Sequence, residues 1–151
     1  VFGLETYALL RASSCFIFGI GAASQDFFEQ KIQNWVTYSF IAFGIVLGVL
    51  SGTIFQTIIW AITAFIFGLI VWKAGLWGAG DVKYFTGIAA TIPTPYLLFG
   101  VVPLAYFLVS WIIGYHTIRG TIPKWNVSLA VFLFLANMAL IVAFQSALIN
   151  I

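Results

Sequence analysis

The run Ile54-Phe55-Gln56-Thr57-Ile58-Ile59-Trp60-Ala61-Ile62-Thr63-Ala64-Phe65-Ile66-Phe67-Gly68-Leu69-Ile70-Val71-Trp72 decides the fold class. No charged residue interrupts it. At helical rise it reaches about 28 Å, close to the roughly 30 Å thickness of a bilayer's hydrocarbon core. Thr53 with Gln56 reads as a capping box at its start. Comparable apolar runs lie on both sides, giving expected spans at about 4–24, 35–50, 54–72, 82–92, 96–115 and 127–148. The whole chain is 63% hydrophobic and 7% charged, where a soluble domain carries about 25% charged residues. No soluble fold covers so much apolar surface with so few charges. The expectation is an all-α polytopic membrane protein, six transmembrane helices in a single bundle, forming one domain over residues 1–151.

Other patterns refine this. Gly44, Gly48 and Gly52 recur every four residues and mark a helix–helix packing stripe. Arg11 lies 15 residues before Asp26, roughly 22 Å at helical rise, so it is expected at the opposite membrane face, snorkelling to the head groups. Asn34 reads as the N-cap of the second span, with Trp35 as an interfacial anchor. The first apolar run has no basic segment before it, so no cleavable signal peptide is expected. Cys15, the one cysteine, excludes an internal disulfide and a multi-cysteine zinc site. The formal charge of +2 is too small to suggest nucleic acid.

Charge placement orients the chain. Lys31 lies in the first connection, Lys73 and Lys83 flank the third, and Arg119 and Lys124 lie in the fifth; the second and fourth carry no charge. Basic residues favour the cytoplasmic side. The odd connections are therefore expected there, with both termini outside the plasma membrane.

The acidic inventory is Glu5, Asp26, Glu29 and Asp81. Ionisable groups at membrane depth are expensive and become functional candidates by default. Asp26 and Asp81 both border odd connections, hence the same depth and face. Two carboxylates close enough to share a proton form an acid/base pair whose pKa values are driven apart. Plainer readings stand beside this one. Asp81 also fits as the N-cap of the fourth span after the glycines of Gly78-Ala79-Gly80, and Asp26 as a loop carboxylate paired with Lys31. Lys83 would tune Asp81 or anchor its helix. Glu29 reads as a solvated charge or a contact for a basic substrate. His116, the one histidine, reads as an interfacial residue. A different function class, a small proton-coupled transporter or channel subunit using the two aspartates as relays, fits the same residues.

The strings themselves add a family. Gly78-Ala79-Gly80-Asp81-Val82-Lys83 resembles the second aspartate motif of the GxGD membrane aspartyl proteases, and most of all that of the type IV prepilin peptidases with their archaeal preflagellin peptidase branch. Asp26, then Lys31-Ile32 and Asn34-Trp35, resembles the first aspartate motif, an aspartate leading into a basic-Ile-Pro-Asn segment. Gln33 stands where proline is usual. The six-span layout also matches. The resemblance implies an aspartic endopeptidase with Asp26 and Asp81 as the catalytic pair. Gly78, Gly80, Lys83, Glu29, Lys31 and Asn34 are then its substrate-binding or motif support. It implies pilin-like or flagellin-like precursors as partners, cut at the cytoplasmic face between a short basic leader and an apolar helix. No metal or organic cofactor is required, and a homo-oligomer is left open. The cysteine-rich region of the larger methylating enzymes has no counterpart here, so methylation is not carried over.

Overall fold

The computed structural model describes residues 4–29, 31–75 and 77–93, with positions 100, 135, 136 and 139. The described residues form four helices and no strand: α1 (Leu4–Glu29), α2 (Asn34–Leu50), α3 (Ile54–Lys73) and α4 (Ala79–Thr91). Apart from positions 100, 135, 136 and 139, the expected spans at 96–115 and 127–148, with His116, Arg119 and Lys124, lie outside the described residues.

Two of the helices, α1 from Thr6 to Glu29 and α3, are long and apolar enough to cross a membrane. On α3, Phe55, Ile59, Ile62, Ile66 and Ile70 are all exposed. Water does not tolerate a continuous apolar surface of this kind, but lipid does. The chain is a membrane protein.

α4 is different. It has 13 residues, about 20 Å, too short to cross a bilayer alone. Every residue from Tyr84 to Thr91 is buried, as is Val82. This is the central helix of the described bundle, and α2 and α3 are its main neighbours. The stretch expected as a span at 82–92 thus belongs to a helix that starts at Ala79 and serves as a core, not as a span by itself.

Small residues make that packing possible. A Cβ at Gly44 would fall 2.7 Å from the Ala90 carbonyl carbon on α4, and one at Gly48 would fall 2.6 Å from Thr57 Oγ1 on α3. The glycine stripe is therefore split between two partners. A Cβ at Gly52, its third member, would meet no described residue within 4 Å. Gly52 has φ +71, and its N–H bonds Val49 O at 3.2 Å while Thr53 N–H bonds Gly48 O at 2.8 Å. That is a Schellman turn, which needs a left-handed residue at this place. Phe40 fills the notch that Gly87 leaves. Its ring stacks on Phe18 of α1 at 5.0 Å and meets Tyr84 of α4 at 6.0 Å. Three helices thus close on one side chain.

Arg11 is at the opposite end of α1 from Asp26, as expected, but it does not snorkel. Its Nη2 donates to Ser51 Oγ at 2.8 Å and to Thr53 Oγ1 at 2.9 Å. Its Nη1 donates to the Thr91 carbonyl at the end of α4. One guanidinium fork thereby ties the α2–α3 turn to α1 and α4. It also accounts for the capping box expected at Thr53 and Gln56, which does not form: the Thr53 hydroxyl makes no cap bond and receives Arg11 instead.

Candidate active site

The end of the bundle away from Arg11 is built from the α1–α2 corner and the start of α4. α1 continues through Phe27 and Phe28 to Glu29 instead of ending near residue 24. Asp26 therefore sits in the last turn of a helix, partly buried, and not in a loop. The α1–α2 corner is held by amide groups. Gln33 N–H donates to Gln25 Oε1 at 3.0 Å, Trp35 Nε1 donates to Gln33 Oε1 at 2.5 Å, and Gln33 Nε2 makes a longer contact to Glu29 Oε2 at 3.4 Å. Glu29 and Lys31 are exposed.

The N-cap of α2 is Gln33, with φ −69 and no side-chain cap bond. Asn34, expected in that role, is one residue inside the helix. Its Oδ1 accepts from Lys83 Nζ at 2.7 Å. The Lys83 ammonium also lies 5.3 Å from the centre of the Tyr38 ring, within cation–π range. Lys83 thus turns to α2.

α4 begins after Trp77, which is buried between Phe67 and Phe85 at 5.9 and 5.3 Å. Its N-cap is Gly78 at φ −81, a value any residue adopts. The left-handed glycine of this connection is Gly75, at φ +76. Neither Gly78 nor Gly80 is therefore needed for a turn. Gly80 is needed for approach: a Cβ there would fall 3.2 Å from Ile32 Cβ. This contact seats the start of α4 directly on the α1–α2 corner.

Asp81 is the third residue of α4, not its N-cap. Its Oδ2 accepts from Gly78 N–H at 2.9 Å. Glycine has no side chain to return the bond, so this is one half of a capping box. The other oxygen, Oδ1, is buried and accepts no bond from any described residue. A buried acceptor left unpaired carries a desolvation penalty that a cap alone does not explain. Asp81 lies ahead of the apolar stretch that starts at Val82. Burial pushes its carboxyl up to about 6, the Gly78 N–H pulls it back, and the negative charge of Asp26 adds to the rise. The two aspartates, 55 residues apart in sequence, are close enough in space to feel one another.

The chain matches the type IV leader peptidase family over residues 13–146. It belongs to that family. Comparison with curated proteins and with solved structures gave no match. As a member of the leader peptidase family the chain is a peptidase, a hydrolase of the membrane. The matched region contains Asp26, Asp81 and every supporting residue named for them in the sequence.

Sequence reasoning quoted Ile32 in the first aspartate motif but missed its contact with Gly80, and it missed Gln25 and Tyr38. Their contacts run between helices, and no spacing along one helix exposes them. Gln33 is the exception, since its departure from proline already marked it. A proline there keeps φ near −65°, close to the observed −69, but removes the N–H that Gln25 accepts. The lost backbone bond costs about 1 kcal/mol and the stiffer unfolded chain returns about 0.4–1 kcal/mol; the exposed side-chain bonds to Trp35 and Glu29 are lost as well. Gln33→Pro is thus expected to fold with a melting midpoint at or slightly below that of wild type, as thermal unfolding in detergent would show.

Proposed function

We propose that this leader peptidase is an aspartic endopeptidase. In this reading Asp26 and Asp81 act as one unit on precursors with a short basic leader followed by an apolar helix, of the pilin-like or flagellin-like kind. The observation that carries it is the buried Asp81 Oδ1, without a hydrogen-bond partner among the described residues, in the field of Asp26.

The chemistry follows from the pair. Asp81 holds the shared proton and gives it as a hydrogen bond to the scissile carbonyl oxygen. Asp26, ionised, takes a proton from water as the water oxygen attacks the carbonyl carbon. The tetrahedral adduct collapses when Asp26 passes that proton to the leaving nitrogen, and the C–N bond breaks. A new carboxyl and a new amine are released and the pair returns to its singly protonated form. The Asp26, Glu29 and Asp81 cluster complements a basic leader, and the bilayer-facing bundle complements the apolar helix. Lys31, Lys73 and Lys83 belong to this end of the bundle, which supports placing it at the cytoplasmic face.

The test is cleavage of a precursor panel by purified wild-type protein against Asp81→Asn. An intact panel, together with proton flux through liposomes that depends on both aspartates, would favour the relay reading instead. A pH profile adds a second check. Because Asp81 is raised to about 6, the free enzyme loses its shared proton above that pH. The kcat/KM profile is expected to fall on its alkaline side from about pH 6, reporting the pair. A kcat/KM profile flat from pH 5 to 8 would contradict a proton held at Asp81.

A further inference from the structure

We propose that Ile32, Gln33 and Asn34 form a bracket that sets the separation of the Asp26 and Asp81 carboxylates, with Lys83 as the positioning residue that clamps α4 into it. The inference deepens the aspartic reading and rests on it for its kinetic consequences.

α1 and α4 carry the two aspartates yet touch each other sparingly, whereas α4 packs chiefly on α2 and α3. Direct packing of the two helices therefore does not fix the distance between their carboxylates. Each of the three consecutive residues between them contributes a contact next to one of the aspartates. Ile32, buried, closes on Gly80, the residue before Asp81. Gln33 N–H holds Gln25, the residue before Asp26, at 3.0 Å. Asn34 Oδ1 holds Lys83 Nζ, two residues after Asp81, at 2.7 Å. Tyr38, one turn further along α2, lies beside the same ammonium. The acceptor for Lys83 is a neutral amide, so the bond does not serve to neutralise charge. It joins the start of α2 to the first turns of α4. Proton sharing needs a short, fixed separation, and a misplacement of about 1 Å is worth on the order of 100-fold in rate.

The experiment uses the full chain in detergent and a synthetic precursor with a basic leader and an apolar helix. Lys83→Met and Asn34→Ala are each expected to lower kcat by about 10-fold to 100-fold with KM within about twofold. The double variant should be within about twofold of the worse single one, since both remove one contact. Lys83→Arg, which keeps a cationic donor, should recover part of the rate. Tyr38→Leu, at a more exposed site, should lose about 2-fold to 5-fold and still fold if Lys83→Met does not. Infrared titration of the Asp81 carboxyl supplies a readout independent of cleavage. Loosening the bracket weakens the influence of Asp26, so Asn34→Ala should move the Asp81 titration down toward the ordinary carboxylate range. A slow Lys83→Met beside an unimpaired Asn34→Ala would mean that Lys83 acts by its charge, and would overturn the bracket. So would a change confined to KM, or an Asp81 titration unmoved in Asn34→Ala. A wild-type protein that cuts no precursor, while Asn34→Ala still shifts the Asp81 titration, would remove the aspartic reading and leave the bracket standing.

Discussion

Asp81→Asn is expected to abolish cleavage and at the same time make the protein more stable. A carboxyl raised by folding from 3.8 to about 6 binds its proton more tightly in the native state than in the unfolded chain. Stability therefore falls as pH rises through that interval and stays reduced above it. Asparagine carries no charge to desolvate. It keeps an oxygen for the Gly78 N–H, and its amide N–H group can donate toward Asp26. At pH 7.5 the gain should be about 1–3 kcal/mol, and it should vanish below about pH 4. The activity loss has the opposite sign. Without a proton to hold at Asp81, or a base at Asp26, the pair cannot function, so Asp26→Asn should be as inactive as Asp81→Asn. Groups acting as a unit are not additive, and the double variant should be hardly worse than either single one. Melting midpoints at two pH values, with cleavage rates on the same preparations, check all three statements. An Asp81→Asn protein less stable than wild type at pH 7.5 would mean that the charge of Asp81 supports the fold.

The second large effect is expected at Arg11, far from the aspartates. Its guanidinium serves the Thr91 carbonyl, Ser51 Oγ and Thr53 Oγ1 together. Hydrogen bonds to a charged donor contribute about 1.5–3 kcal/mol each, though not additively. Arg11→Met removes all of them and leaves partly buried acceptors behind, for an expected loss of about 3–4 kcal/mol. Arg11→Lys should lie between, because one ammonium does not reproduce a planar fork. Chemical denaturation in detergent measures both. If Arg11→Met unfolds at the wild-type denaturant concentration, the residue only reaches for head groups.

The contrast between these two sites shows what the chain discloses by itself. The apolar runs disclosed helices and membrane because their signal is local: a residue's burial in lipid follows from its own run. Asp26 and Asp81 stood out because carboxylates are scarce in such a chain, and their shared end followed from the alternation of charged and uncharged connections. The partners of Arg11, Asn34 and Lys83 were not legible. Arg11 bonds residues 40, 42 and 80 positions away, and Lys83 bonds Asn34 across 49. Such contacts depend on how helices settle against one another, which Gly44, Gly48 and Gly80 decide by where they let backbones approach. Thr53 stands at the N-cap of α3 as expected but makes no cap bond, and Asn34 lies one residue inside α2, for the same reason. Asn34 and Thr53 have the right chemistry for caps, but tertiary donors claimed their oxygens first. α1 outran its expected end because Phe27, Phe28 and Glu29 continue a helix although the surrounding stretch is polar.

One measurement bears most directly on the claim that this leader peptidase works through Asp26 and Asp81. Purified wild type, Asp26→Asn and Asp81→Asn are incubated with a precursor carrying a basic leader and an apolar helix, and the intact masses of the products are read. The expected result is two fragments from the wild type, divided where the leader meets the helix, and an uncut precursor with either folded variant. An uncut precursor with folded wild type, or equal cutting by a folded aspartate variant, would contradict it.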